Sequence, residues 1–214
     1  MATLVQDTPS SGKRAIAKEA NRRAILDAAR LVFARTGYDA CSIRDIIRET
    51  DLAAGTFYNY FKSKEEVFET LASDSVTRFR PLLRAVRAET QDLESYIIGA
   101  YRAYFHFLAA ENEDAIVAGT PHLALVGVRV DTPEMKAISD EIRQDIETIL
   151  AQDASGSPDL HYVTAAAIGI AREMGDQMLS RRPIDADFAA RFASQLLLKG
   201  LKSLMTGSGK SRQA

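Results

Sequence analysis

Between residues 18 and 206 the apolar side chains recur with the period of a helix, and no stretch alternates convincingly at period two. A chain patterned this way buries its stripes by packing helix on helix, so the fold is expected to be all-α with about nine helices. Ile25, Ala28, Ala29, Val32 and Phe33 form one stripe of a first helix over 18–36, which Gly37 ends as a left-handed stop. Ser42, with Asp45 three residues on, has the form of a capping box and opens a short second helix that buries Ile43, Ile46 and Ile47. Residues 51–53 read as a turn, and 54–60 as a third short helix. Ser63-Lys64-Glu65-Glu66 opens a long fourth helix, which Pro81 is expected to kink or end. Further helices are expected at about 92–110, 113–128, 133–152, 158–180 and 185–206, with Pro133 and Pro158 in first turns and Asp185 as an N-cap.

Composition narrows the function classes. The chain has 214 residues, 46% hydrophobic and 26% charged, enough for a core of fair size. A single Cys41 leaves no internal disulfide framework and no multi-cysteine metal site, which fits a reducing compartment. No apolar run approaches the ~20 residues that cross a bilayer. Met1–Ser11 carries no cation ahead of an apolar stretch, so a secretory signal is not expected and a cytoplasmic protein is. His106, His122 and His161 are the only histidines, and none stands in a metal-binding pair on a helix. The Gly207–Ser211 stretch lacks the first glycine and the preceding strand of a phosphate loop. No cofactor, metal or catalytic residue is therefore assigned, and an all-α enzyme finds no support.

Net charge is −2, but it is unevenly distributed. Residues 13–64 hold 11 Lys and Arg against 6 Asp and Glu, whereas 65–214 hold 16 against 22. A basic head on an acidic body suits a DNA-binding domain joined to something else. Helix, short turn and short helix within 42–60 is the helix-turn-helix arrangement, in which the second helix enters the major groove. Gly55 permits close backbone approach, and Thr56 offers a hydroxyl and a methyl to base edges. Tyr58, Asn59, Tyr60 and Lys64 follow as groups able to reach phosphates, while Phe57 and Phe61, four apart, pin the segment to the core.

The run Gly55-Thr56-Phe57-Tyr58-Asn59-Tyr60-Phe61-Lys62-Ser63-Lys64-Glu65-Glu66-Val67-Phe68 resembles the signature of TetR-family transcriptional regulators. Ile25–Ala29, Phe33–Tyr38 and Ser42–Ile46 are similar to that family's first two helices, so the resemblance covers about residues 18–70. It implies a homodimer with a three-helix head, a connecting fourth helix and a body that holds an effector. It places Ser42 on a phosphate, Arg44 within reach of a base, and Ala53, Ala54, Gly55 and Thr56 facing the groove. Family members often carry a polar pair where Ala53 and Ala54 stand, and an aromatic where Asn59 stands, so base readout leans on Arg44, Thr56 and DNA shape. The expected domains are a flexible basic arm (1–17), the DNA-binding head (18–64), an effector and dimerisation body (65–206) and a flexible tail (207–214).

Within the body, the helix at 92–110 carries aromatic residues around more than one face. Tyr101 and Phe105, with Phe79, Leu83, Leu123, Val126, Met174 and Met178, suit a pocket for a small apolar or aromatic effector; the same residues also read as close-packed core. Arg129 suits an effector carboxylate or phosphate or, more readily, an interhelical ion pair, and Arg172 and Glu173 suit a subunit contact or a solvated edge. Ala167, Ile170 and Met174, with Phe188, Phe192 and Leu196, suit a four-helix interface between two copies. The expected function is that of a ligand-responsive repressor, released from a palindromic double-stranded operator when the effector binds. The alternatives are an effector-independent DNA-binding or protein-partner module and an all-α enzyme.

Overall fold

The structure, a computed structural model, describes residues 9–113, 132–151 and 158–207. All regular elements among them are helical: α1 (Pro9–Thr36), α2 (Ile43–Arg48), a 3-10 helix (Ala54–Asn59), α3 (Lys64–Glu89), α4 (Leu93–Glu111), α5 (Pro133–Leu150), α6 (Leu160–Ser180) and α7 (Ala186–Gly207). Beyond its first residue the helix expected at 113–128, together with Leu123, Val126, Arg129 and His122, lies outside the described residues. The chain divides into two compact units, Met1–Leu71 and Ala72–Ala214, with the boundary inside α3 and seven residues beyond the expected border at 64.

In the first unit, the stripe of α1 packs as its spacing predicts: Ile25, Ala29 and Val32 are fully buried, and Phe33 nearly so. Gly37 stops α1 with φ 79°, its N–H donating to the Phe33 carbonyl at 2.9 Å. Ser42 and Asp45 form the expected capping box. Ile46, Phe57, Phe61, Val67, Phe68 and Leu71 complete the core. Two expectations are corrected. The arm at 1–17 is helical from Pro9 onward, because proline and serine in a first turn start a helix as readily as they mark a loop. The third helix is a 3-10 helix, closed by Thr56 N–H to the Ala53 carbonyl (2.8 Å) and Tyr60 N–H to the Phe57 carbonyl (2.9 Å). Ala53 offers no side-chain cap, Gly55 is a weak helix former, and six residues give an α-helix little length over which to recover its nucleation cost.

In the second unit, α4 packs against α7 and α6, α6 against α7, and α5 against α6. The buried core includes Phe79, Leu83, Tyr96, Tyr101, Phe105, Leu108, Ile146, Met178, Leu179 and Ala193. Two glycines set the closest approaches. A Cβ at Gly99 would stand 2.7 Å from Val86 Cγ1, and one at Gly175 would stand 2.6 Å from Leu108 Cδ2. Gly175 thus serves packing within the chain. α3 does not end at Pro81, which sits inside it. The donor lost there is offset by Phe79 and Leu83, both buried on either side of it. Thr132 and Asp185 cap α5 and α7, the latter accepting from Phe188 N–H at 2.8 Å. Pro133 holds the first turn of α5 as expected, whereas Pro158 lies ahead of α6, whose cap is Asp159. Among the described residues no helix is long and apolar enough to cross a membrane, and no cluster of metal-ligating side chains occurs.

Candidate nucleic-acid interface

The 3-10 geometry decides which side chains of the first unit face outward. At three residues per turn, positions three apart eclipse. Phe57 is fully buried and faces the core, and Tyr60, three residues on, is half-buried. Gly55 and Tyr58 form an exposed row; Thr56 and Asn59 form the row beside it, half-buried and exposed respectively. Ala53 and Ala54 are exposed at the entrance. A Cβ built at Gly55 meets nothing within 4 Å, so the backbone there is open to a close approach. Tyr58, at 63% exposure, stands clear of the core although its ring edge meets Phe57 at 5.4 Å between centroids. Burial of Phe57 and Phe61 holds the segment in place, each contributing about 1.5–3 kcal/mol. Tyr60 accepts a 3.1 Å hydrogen bond from Asn21 Nδ2, and the Arg22 guanidinium lies 5.3 Å from the Phe61 ring centre, so α1 braces the far end of the 3-10 helix.

Arg44 is exposed on α2 with no ion-pair partner among the described residues. Ser42 is exposed too, but its hydroxyl donates to Asp45 Oδ2 at 2.5 Å and accepts from Asp45 N–H at 3.3 Å. The Ser42 hydroxyl and the Ser42 N–H (3.0 Å), both donating to Oδ2, hold the Asp45 carboxyl below the usual carboxylate range, and the box makes Ser42 the cap of α2.

Lys64 is likewise engaged within the head. Its ammonium donates to the carbonyls of Tyr38 (2.9 Å), Asp39 (3.3 Å) and Cys41 (3.0 Å), and it lies 4.6 Å from the Tyr38 ring centre. All three donors point to the loop between α1 and α2. Tyr38 completes the clasp, packing edge-on against Phe68 at 4.9 Å and donating to Glu65 at 3.0 Å. Burial, helped by Glu65, pushes its hydroxyl up to about 12. The loop carbonyls Lys64 holds lie 23 to 26 residues away, and no local spacing announces such a contact.

Phe79, Leu83, Tyr101, Phe105 and Met178 lie in one packed core, with Met174 partly buried against it. Tyr101 and Phe105 stack at 6.0 Å, Phe79 meets Tyr104 edge-on at 5.4 Å, and the Tyr101 hydroxyl donates to the Ala167 carbonyl at 3.0 Å. An open groove of about 730 Å³ lies beside this core, lined by Leu83, Arg84, Arg87, Glu141, Gln144 and Asp145 among others. Its wall is ionic. Arg80 and Arg84 both bind Glu141, whose carboxyl they hold down at about 2. Tyr96 donates to Asp145 at 3.1 Å, and burial raises that carboxyl. Sequence spacing did not single out this groove, because it joins side chains on separate helices. Arg172 pairs with its neighbour Glu173 at 3.0 Å.

Of the expected interface residues, Phe188, Phe192 and Leu196 are 49%, 52% and 53% exposed on α7, with the two phenylalanine rings 6.1 Å apart. Ala167 and Ile170 are partly buried on α6, and Met174 is shared with the core.

Residues 25–71 match the family model of the bacterial regulatory proteins, tetR family. The chain is 25% identical over 146 residues to the HTH-type transcriptional regulator YdgC of Bacillus subtilis, covering 66% of this chain and 68% of that one. It is 28% identical over 108 residues to the HTH-type transcriptional repressor KstR2 of Mycolicibacterium smegmatis, about half of each chain. Its fold is that of the transcriptional regulator FadR from Bacillus subtilis, solved in complex with stearoyl-CoA: TM-score 0.61 at 20% identity, covering 83% of this chain and 98% of that one.

Proposed function

We propose, from the premise that this chain is a TetR-family protein by its N-terminal domain, that it is a dimeric, cytoplasmic repressor that leaves a palindromic operator when a small effector binds the body. The observation that carries this reading is the outward edge of the 3-10 helix. Ala53, Ala54, Gly55, Thr56, Tyr58 and Asn59 form a surface held from behind by buried Phe57 and Phe61. Thr56 and Arg44 supply the polar contacts to bases, the alanine methyls touch thymine, and Tyr58, Asn59 and Tyr60 reach phosphates. Ser42 and Lys64 hold the scaffold. Phe188, Phe192 and Leu196, with Ala167, Ile170 and Met174, pair two copies, as a two-fold interface requires.

The effector is apolar or aromatic and enters the body beside Tyr101, Phe105, Met174 and Met178. Stearoyl-CoA on the FadR fold supports the apolar class. To switch the protein, the effector must prefer the released state by a few kcal/mol. The close packing of Phe79, Tyr101 and Phe105 favours a second reading, a DNA binder that needs no effector. A gel shift on the DNA upstream of the protein's own gene, with and without cell extract, tests both. A shift that extract abolishes supports the repressor, a shift indifferent to extract the second reading, and no shift neither.

A further inference from the structure

Residues 12–20 of α1 are exposed throughout, so this stretch is helical without a core to pack on. From Gly12 to Arg23 it carries Lys13, Arg14, Lys18, Arg22 and Arg23 against a single carboxylate, Glu19. Neither Arg14 nor Lys18 has an ion-pair partner among the described residues. The rotation of the helix is fixed where it first touches the head, by Asn21 on the Tyr60 hydroxyl and Arg22 over Phe61. At about 100° per residue, Arg14 and Lys18 point between the directions of Asn21 and Arg22, whereas Lys13 and Arg23 point to the other side. The face that meets the end of the 3-10 helix is thus prolonged outward by two cations, about 4.5 Å and about 10.5 Å beyond Asn21 along the axis.

We propose, resting on the DNA-binding reading above, that Arg14 and Lys18 form a second phosphate-binding strip. It grips the duplex backbone next to the stretch that the 3-10 helix reads. Its ligand is any duplex phosphate backbone, so it adds affinity without sequence preference.

The test is a titration of a labelled duplex of about three helical turns by anisotropy, across a salt series. Each phosphate contact contributes about 0.9 to the slope of log affinity against log salt. Arg14→Ala with Lys18→Ala is expected to flatten the slope by about 1.8 for each bound copy. Lys13→Ala with Arg23→Ala removes the same charge from the other face and is expected to change it far less. Arg14→Lys with Lys18→Arg is expected to restore the full slope. A far-UV melt confirms that each variant is folded. A wild-type slope in the Arg14/Lys18 variant, or an equal fall in the Lys13/Arg23 pair, overturns the strip and leaves the DNA-binding reading standing. A wild-type chain with no affinity for any duplex overturns that reading and the strip with it.

Discussion

Lys64→Met keeps the apolar stem and removes the ammonium that holds three loop carbonyls. Hydrogen bonds to a charged group contribute about 1.5–3 kcal/mol each, and an exposed cation over an aromatic ring about 0.5–1 kcal/mol. One half-buried ammonium serves all three carbonyls, so the contributions overlap and a net loss of about 3 kcal/mol is expected. The probe is already in place. Cys41, the only cysteine, is 4% exposed and supplies one of the three carbonyls. Labelling its thiol with a disulfide reagent reports opening of the head, and where reclosing outruns labelling the rate follows the opening equilibrium. At about 1.4 kcal/mol per tenfold, the variant is expected to label about 150 times faster. The salt slope of DNA binding stays at the wild-type value as long as the head is folded. A labelling rate unchanged within about twofold, together with a flattened salt slope, would return Lys64 to the phosphates and refute this account.

Arg44→Ala and Thr56→Ala are each expected to weaken operator binding by about 1–3 kcal/mol and to relax base preference; equal loss on all sequences would remove them from base readout. Glu141 sits between Arg80 and Arg84, which lower its carboxyl from 4.5 to about 2. A carboxyl depressed by folding stabilises above its unfolded value and loses that contribution as pH falls toward its folded one. Glu141→Gln is therefore expected to cost about 1–2 kcal/mol at neutral pH, after allowance for the exposure of both arginines, and to unfold with a shallower acid dependence between pH 4.5 and 2; urea titrations across that range check it. Phe192→Glu, at the centre of the exposed α7 row, is expected to halve the sedimenting mass and to lower operator affinity, while a mass that stays dimeric would place the interface elsewhere.

The head was legible where local chemistry dictates structure. Gly37, the Ser42–Asp45 box and the buried pair Phe57 and Phe61 each follow from a spacing of a few residues, and each stands where expected. What the spacing left open was decided by distant groups. Lys64 and the loop it clasps are linked only through the fold, so no local spacing showed that a residue with the look of a phosphate contact also braces the head. Ser42 carries two readings, cap and phosphate donor, and the nearby Asp45 takes its hydroxyl. Pro9, Ser10, Ser11 and Gly12 have loop composition, yet α1 already runs through them. In the body, an aromatic helix suits a pocket wall and a packed core equally, and helix-to-helix contacts put Phe79, Tyr101 and Phe105 in the core.

The central claim is that the exposed edge of the 3-10 helix reads DNA in duplicate. Selection of bound duplexes from a randomised pool, followed by sequencing, tests it most directly. An inverted repeat is expected to be enriched, with half-sites about one helical turn, or a multiple of it, apart, each bound by one copy of the chain. A pool that stays random, or a single unrepeated motif held by one copy, would contradict it.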